Sequence, residues 1–547
     1  MKTKLLLVLI LLAQIFYAQE ITGSWKGELD LGQVSLPLIL NISKENNEYV
    51  STAQSPKQGN EIMPVDKTEF INNELVFEMK ALGALYKGQF KKDHFEGTFT
   101  QNSKSFPMNL YKDDGKEQPK PKDIVITKDL EKTAINTEKI DDFINYITKN
   151  KQGIGSVTIF KEGKKIYENN FGQDQIPNAK FDSNTAYQIG SISKLATAVM
   201  LMQLEEKGKI SLKDKLSKYY SDIPNADKIT LEQLMNHTSG LGDYAGSWLF
   251  KKPVGDKAIL DTIKKNGVEF QPGEKERYSN SGYYLLSRIL EKVSKKPYHV
   301  LLKENITSKA DMKNTFSVLD NKKNIFKSYE NTTGKWVEIE DFDFRNCIGL
   351  GDITSTTYDM NLFINALFDY KFIKKETLDR MLPKDEKPFG LGVMRVPFYN
   401  KISYGHGGDT AGTHSLVSYS PSEKYSISMI VNGEGLSHRK LFIGIISLIY
   451  DHEYEYPKFN ELKKLPENEL KKYEGDYHSK EPKLDFKIFV KDENLFAQLA
   501  DQPSFPLEFV EGDKFKYDNA GVEIIFSPEK KQLSLIQNGN TLVFNKK

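Results

Sequence analysis

The chain has 547 residues, 39% of them hydrophobic, and a formal net charge of +1 from 76 Lys and Arg against 75 Asp and Glu. That length carries roughly three to four domains with real cores, and the balanced charge excludes a nucleic-acid binder that works through bulk positive charge, since nothing is left over to neutralise phosphates. The single cysteine, Cys347, excludes an internal disulfide; no evident base flanks it, so it reads as a buried, inert thiol.

In chain order, the first residues read as a targeting signal. Lys2 and Lys4 precede an unbroken apolar run of nine, Leu5 to Ala13, and Tyr17-Ala18 before Gln19 offers a small-residue cleavage point. The run is too short to span a bilayer. The expectation is a signal peptide over residues 1–18 and a secreted or periplasmic protein, with no cysteine at the cleavage point to carry a lipid. No later segment is long enough for a transmembrane anchor; the most apolar is Leu441 to Tyr450.

Residues 20–112 show antiparallel β patterning, with alternating runs such as Leu38-Ile39-Leu40-Asn41-Ile42 and Leu75-Val76-Phe77-Glu78-Met79 separated by polar turns. The pattern predicts a small barrel or sandwich without an evident catalytic group. Residues 113–136 open with Lys, Asp, Pro and Gly and read as a linker. A large α+β domain follows over 137–455, with a helix over Ile140–Ile147 and a hairpin from Ser156 to Phe171 turning at Glu162-Gly163. Over 456–547 β patterning returns, in strands at Asn494–Leu499, Val522–Phe526 and Leu533–Phe544, the last folded at an Asn538-Gly539 turn.

The chemistry gathers around Tyr187-Gln-Ile-Gly190-Ser191-Ile-Ser-Lys194-Leu195. It predicts a turn at Gly190 into a helix over Leu195–Lys207 that is apolar on nearly every face and therefore buried. Ser191 and Lys194, three apart, share one face of its start. A serine hydroxyl needs a base, and a desolvated lysine can be one; the helix N-terminus would favour an oxyanion. By spacing alone Ser437/Lys440 and Ser527/Lys530 have equal claim. Downstream, Tyr278-Ser279-Asn280 lies between a Pro272-Gly273 turn and a helix beginning near Tyr283, and His406-Gly407-Gly408-Asp409 opens an apolar alternation. His406 is the only histidine followed by x-Gly, and the glycines would let a substrate approach the backbone closely.

The order Ser-x-x-Lys, Tyr-x-Asn, His-x-Gly resembles the serine β-lactamase and penicillin-binding protein superfamily, in its branch of class C β-lactamases, D-alanyl-D-alanine peptidases, D-aminopeptidases and esterases. Supporting stretches are Leu234-Met-Asn-His237-Thr-Ser-Gly240-Leu241 and Gly351-Asp-Ile-Thr-Ser355-Thr356. The resemblance covers about Thr137 to Tyr454 and implies a β-lactamase/transpeptidase-like central domain, an antiparallel sheet flanked by helices. The two terminal β regions resemble lipocalin-like barrels in pattern. Carried over by motif, Ser191 would be the acylated nucleophile and Lys194 would help deprotonate it and hold Tyr278. Tyr278, as phenolate or through Lys194, would shuttle the proton. Asn280 would bond the substrate amide or Lys194. His406, Gly407, Gly408 and Asp409 would line the substrate-binding strand, with the N–H groups of Ser191 and Asp409 as the oxyanion hole. Only Ser191 has the downstream motifs, so Ser437 and Ser527 fall away.

His406 stands where many β-lactamases carry a lysine that binds the drug's carboxylate, which turns the expectation toward esterase or peptidase activity. Neither a cofactor nor a metal is implied: the eight histidines never occur as His-x-His or His-x-x-x-His. His237 reads as a loop organiser. The expected partner is a small-molecule or peptide substrate, peptidoglycan fragments included. The competing reading is a catalytically silent envelope-binding protein whose β domains hold glycan or lipid. Substrate identity and oligomeric state are open at this point.

Overall fold

The computed structural model describes residues 21–547 apart from 31–34, 46–47, 56–62, 80–83, 102–103, 114–124, 246–252, 322–323, 332–333, 340–342, 386, 460–464, 481–482, 492, 501–503, 518–520 and 538–539. The expected signal peptide and the Asn538-Gly539 turn lie outside the described residues. Among those described, no helix is long and apolar enough to cross a membrane.

Residues 23–112 form a ten-stranded antiparallel sheet. Its alternating residues place Leu40, Ile42, Leu75, Phe77, Phe95 and Leu110 in one apolar core, as period-two patterning requires. Trp25 is buried among them and donates its indole N–H to Ile21 O at 2.7 Å. Ser51 Oγ of the strand Glu48–Gln54 meets Thr68 Oγ1 of the edge strand Lys67–Ile71 at 2.5 Å.

The central domain is built on an antiparallel sheet whose strands run, edge to edge, Lys164–Phe171, Gly153–Lys161, Tyr425–Glu434, His414–Ser420, Lys401–Asp409 and Met394–Phe398. The predicted hairpin turns at Glu162-Gly163, both with positive φ. One face is covered by the helices Thr137–Lys149 and His438–Ile449, which bury Ile140, Phe143, Ile144 and Ile147 at helical spacing against Val157, Ile159 and Val431. Asn136 caps the first of them by accepting from Lys139 N. The helices Ser193–Glu206, Asn280–Ser294 and Thr357–Phe368 share the larger core on the opposite side.

Part of the segment expected to be linker is instead core. Ile126 and Leu130 are buried in the central domain. Ile126 N donates to Asn400 Oδ1 at 2.7 Å, and Leu130 N to Glu423 at 3.2 Å. Ile126, Leu130 and Ile135 are too scattered to read as an element, yet they pack this stretch against the core of the central domain. At the C-terminal end, eight strands from Gly475–Ser479 to Asn540–Lys546 close into a barrel, which leaves no sheet edge unpaired.

Candidate active site

Gly190 makes the turn into the serine-bearing helix. Its φ is +49°, and a Cβ there would lie 2.8 Å from Asp409 O and 2.9 Å from Asp409 N, so glycine lets the Ser191 turn and the strand Lys401–Asp409 meet backbone to backbone. The turn tightens into a 3-10 segment, Gly190–Ile192, and the α-helix then runs Ser193–Glu206, starting two residues earlier than the sequence predicts. Every residue from Ser193 to Gln203 is buried. Ser193 Oγ donates to Gly190 O at 2.8 Å and accepts from Ile353 N at 3.2 Å. A short three-stranded sheet completes this anchorage, pairing Tyr187 with Ser355 and Gln188 with Thr354.

Lys194 is fully buried, and its Nζ lies 2.8 Å from Ser191 Oγ and 3.1 Å from Leu350 O. Burial pulls its pKa down from 10.5 to about 7, against the opposing pull of Asp243 and Cys347. About half of the amine is therefore neutral near pH 7, within hydrogen-bond reach of the Ser191 hydroxyl. Tyr278 hydrogen-bonds Ser191 through its hydroxyl and is pushed well above the ordinary tyrosine value by burial. The phenol is therefore neutral at physiological pH, which weighs against the phenolate alternative. Lys194 Nζ sits 4.8 Å from the centre of the Tyr278 ring, so amine and tyrosine meet through the ring face. His237 stacks on Tyr278 with ring centres 4.4 Å apart, and its Nδ1 accepts from Ser279 N at 3.1 Å. Burial lowers its pKa, so it stays neutral and organises the loop, as its place in the sequence suggests.

Asn280 opens the helix Asn280–Ser294, capped by Ser279, which accepts from Gly282 N. Its Nδ2 is taken by Asp243 Oδ2 at 2.9 Å rather than by Lys194, so its carbonyl oxygen is what it can offer a substrate. His406 is buried and pairs through Nδ1 with Gly407 O. Burial, with Lys194 nearby, lowers its pKa to about 4, so it is an uncharged ring. Gly408 departs from expectation. It is absent from the cleft wall, and a Cβ there would lie 2.0 Å from Ile189 O, so it serves the packing of strand against nucleophile turn rather than substrate.

Ser191, Tyr278, Asn280, His406, Gly407 and Asp409 line one cleft of about 460 Å³, with Phe344, Leu350, Phe389 and Met394 as its apolar wall. Lys194 lies behind Ser191, outside that lining. Cys347 also borders the cleft, buried as expected. Among the described residues lining it, Asp409 is the only one whose side chain is charged near pH 7. Ser437 precedes the helix His438–Ile449 and Ser527 a 3-10 turn of the barrel, and neither lines this cleft.

Three contributors escaped the sequence reading. Asp243 orients Asn280 and bears on the Lys194 charge. Leu350 offers its carbonyl to Lys194, and the buried Asp352 holds that segment by accepting from Gly349 N at 2.7 Å and from Ser317 Oγ. Asp352 sits in the Gly351–Thr356 stretch that carries the resemblance, and Asp243 closely follows the His237 stretch, so proximity to motifs was the available signal.

Comparison with known proteins agrees with this geometry. Teichoic acid D-alanine hydrolase of Staphylococcus aureus (strain NCTC 8325 / PS 47) is 28% identical over 308 residues, 54% of this chain and 74% of its own. Two solved structures share the fold. The D-amino acid amidase from Ochrobactrum anthropi SV3 complexed with L-phenylalanine amide has a TM-score of 0.53 at 21% identity, covering 58% of this chain and 99% of that one. The octameric penicillin-binding protein homologue from Pyrococcus abyssi has a TM-score of 0.50 at 22% identity over 75% of this chain and 99% of its own. The Beta-lactamase family matches residues 143–445, more than half of the chain, and this protein is therefore a member of that family and a serine hydrolase.

Proposed function

We propose that the protein is an exported hydrolase that forms an acyl-enzyme on Ser191 and acts on D-alanyl esters or amides. The observation that carries the reading is Lys194, sealed from water, 2.8 Å from Ser191 Oγ and tuned to about 7. A silent scaffold has no use for a buried amine held in that state, because desolvating it costs stability. In the forward step the neutral Lys194 takes the Ser191 proton as Oγ attacks the carbonyl carbon. The oxyanion forms at the positive end of the helix, where the N–H groups of Ser191 and Asp409 are the proposed donors. The proton then passes by way of the neutral Tyr278 hydroxyl to the leaving oxygen or nitrogen, and the same groups activate water to release the acyl group.

The substrate class follows from charge. A carboxylate-bearing ligand would meet the uncharged His406 and the anionic Asp409, an unfavourable pair of neighbours, whereas an ester or amide with a free ammonium would be drawn to Asp409. The Staphylococcus aureus relative is a teichoic acid D-alanine hydrolase, which fits that chemistry. The N-terminal Lys2, Lys4 and apolar run support export. The test is mass spectrometry after a fluorophosphonate probe, with a panel of D-alanyl esters, D-amino-acid amides, peptides with a free carboxylate and a chromogenic cephalosporin. The expected results are an adduct on Ser191 that is lost in Ser191→Ala, and turnover led by D-alanyl esters or amides. Equal labelling of the variant, or a cephalosporin preference, would overturn the reading.

A further inference from the structure

Beside the cleft, folding lines up a chain of charges that no spacing in the sequence announces. Asp409 ends one strand and His414 begins the next, facing each other across their turn, with Asp409 Oδ1 2.6 Å from His414 Nδ1. On the far side of the same ring, His414 Nε2 lies 3.3 Å from Glu434 Oε2, at the end of the neighbouring strand. Glu434 Oε1 accepts from His438 N at 2.8 Å and lies 3.1 Å from His438 Nδ1. The His438 ring stacks on that of His414, with centres 3.6 Å apart at 11°. Of the three charged members Asp409 is the open one, with 73% of its side chain exposed against 15% for His414 and for Glu434.

Both nitrogens of the His414 ring meet carboxylate oxygens, so the ring carries both protons and is a cation. Burial works against that charge, but Asp409 and Glu434 raise its pKa to about 9. Burial likewise opposes ionisation of the two carboxylates, yet His414, joined at Glu434 by His438, holds both below the usual carboxylate range. A carboxylate pinned by an imidazolium alone would form a neutral pair with little to offer a cationic ligand. Here Asp409 (−1), His414 (+1) and Glu434 (−1) leave one net negative charge, and His414 occupies only Oδ1 of Asp409, which leaves Oδ2 to a ligand. Arg439 also bears on Asp409, but as an exposed charge it is screened by salt. We propose that His414 and Glu434 are positioning residues that set a selectivity for a free amine: His414 fixes the Asp409 carboxylate at the cleft, and Glu434 balances the His414 charge so that Asp409 still attracts an ammonium. The inference rests on the reading of Asp409 as the ammonium site. It separates the two neighbours by sign, because removing the Glu434 charge leaves the cluster neutral whereas removing the His414 charge leaves it more negative. A cluster that only stapled two strands to a helix start would suffer alike from either loss.

The full chain is assayed at pH 7, where an α-amine is mostly ammonium, on D-alanine methyl ester and N-acetyl-D-alanine methyl ester, and the ratio of the two kcat/KM values is the readout. Wild type should favour the free amine, and Asp409→Asn should lose that preference. The ratio should fall at least about threefold in Glu434→Gln, return toward wild type in Glu434→Asp, which keeps the charge, and be no lower than wild type in His414→Gln, which keeps a donor for Asp409 without the cation. Fluorophosphonate labelling of Ser191 shows which variants fold, and should Glu434→Gln not fold, His414→Gln decides. A preference lost in Asp409→Asn but kept in Glu434→Gln, or a ratio that falls in His414→Gln, would overturn this inference and leave the substrate reading standing. A wild type with no preference for the free amine would overturn both.

Discussion

Replacing Lys194 with methionine should abolish turnover and, at neutral pH, stabilise the central domain. The pKa of the buried amine is lowered from 10.5 to about 7, and at about 1.36 kcal/mol per unit that depression is a cost to folding of about 4 kcal/mol near pH 7. Methionine keeps the apolar stem but leaves Ser191 Oγ and Leu350 O without their partner, a loss of about 1 kcal/mol each. The net expectation is a gain of about 2 kcal/mol. Its signature is the pH dependence. Above about pH 7 the folded amine binds fewer protons than the unfolded one, so wild-type stability rises with pH up to about 10.5. The variant lacks that rise, so its advantage shrinks by about 2 kcal/mol between about pH 7 and about pH 9. Hydrogen exchange of the Ser193–Glu206 helix reads the opening free energy of this domain by itself. A Lys194→Met protein less stable than wild type at neutral pH, or a gap that does not change with pH, would refute the assignment of a desolvated amine.

Three further outcomes follow from the same geometry. kcat/KM should rise with pH through a single ionisation near about 7 as Lys194 loses its proton, and Asp243→Asn should move that limb to lower pH because the Asp243 charge holds the lysine pKa up; a limb that stays put would detach Asp243 from the base. Ser191→Ala should lose at least about 10⁴ in kcat/KM while keeping its fold, as removal of a nucleophile does, measured on the preferred ester. Gly408→Ala should destabilise the central domain by about 1–3 kcal/mol and lower kcat, since its Cβ would meet the Ile189 carbonyl; an unchanged protein would show that the strand can retreat from the nucleophile turn.

What the sequence disclosed was local or motif-borne. The Glu162-Gly163 hairpin, the buried serine helix and the residues Ser191, Lys194, Tyr278 and His406 could be read because turn chemistry, periodicity and motif order are written in neighbouring residues. The groups that tune them were not legible. Leu350 reaches Lys194 across 156 positions as a backbone carbonyl, which has no residue signature, and Asp243 reaches Asn280 across 37. Gly408 was assigned to substrate because a glycine in a motif looks alike whether it makes room for a ligand or for Ile189.

The enclosure of Lys194 has one further consequence. Burial makes this amine neutral enough to react near pH 7, yet acylating reagents that seek out lysines should leave it untouched, because they cannot reach it. For the same reason a proton taken from Ser191 cannot leak away into bulk water. In the proposed mechanism its exit is by way of the Tyr278 hydroxyl to whatever group is departing, so the walls around the amine would turn a simple base into a donor that returns what it took.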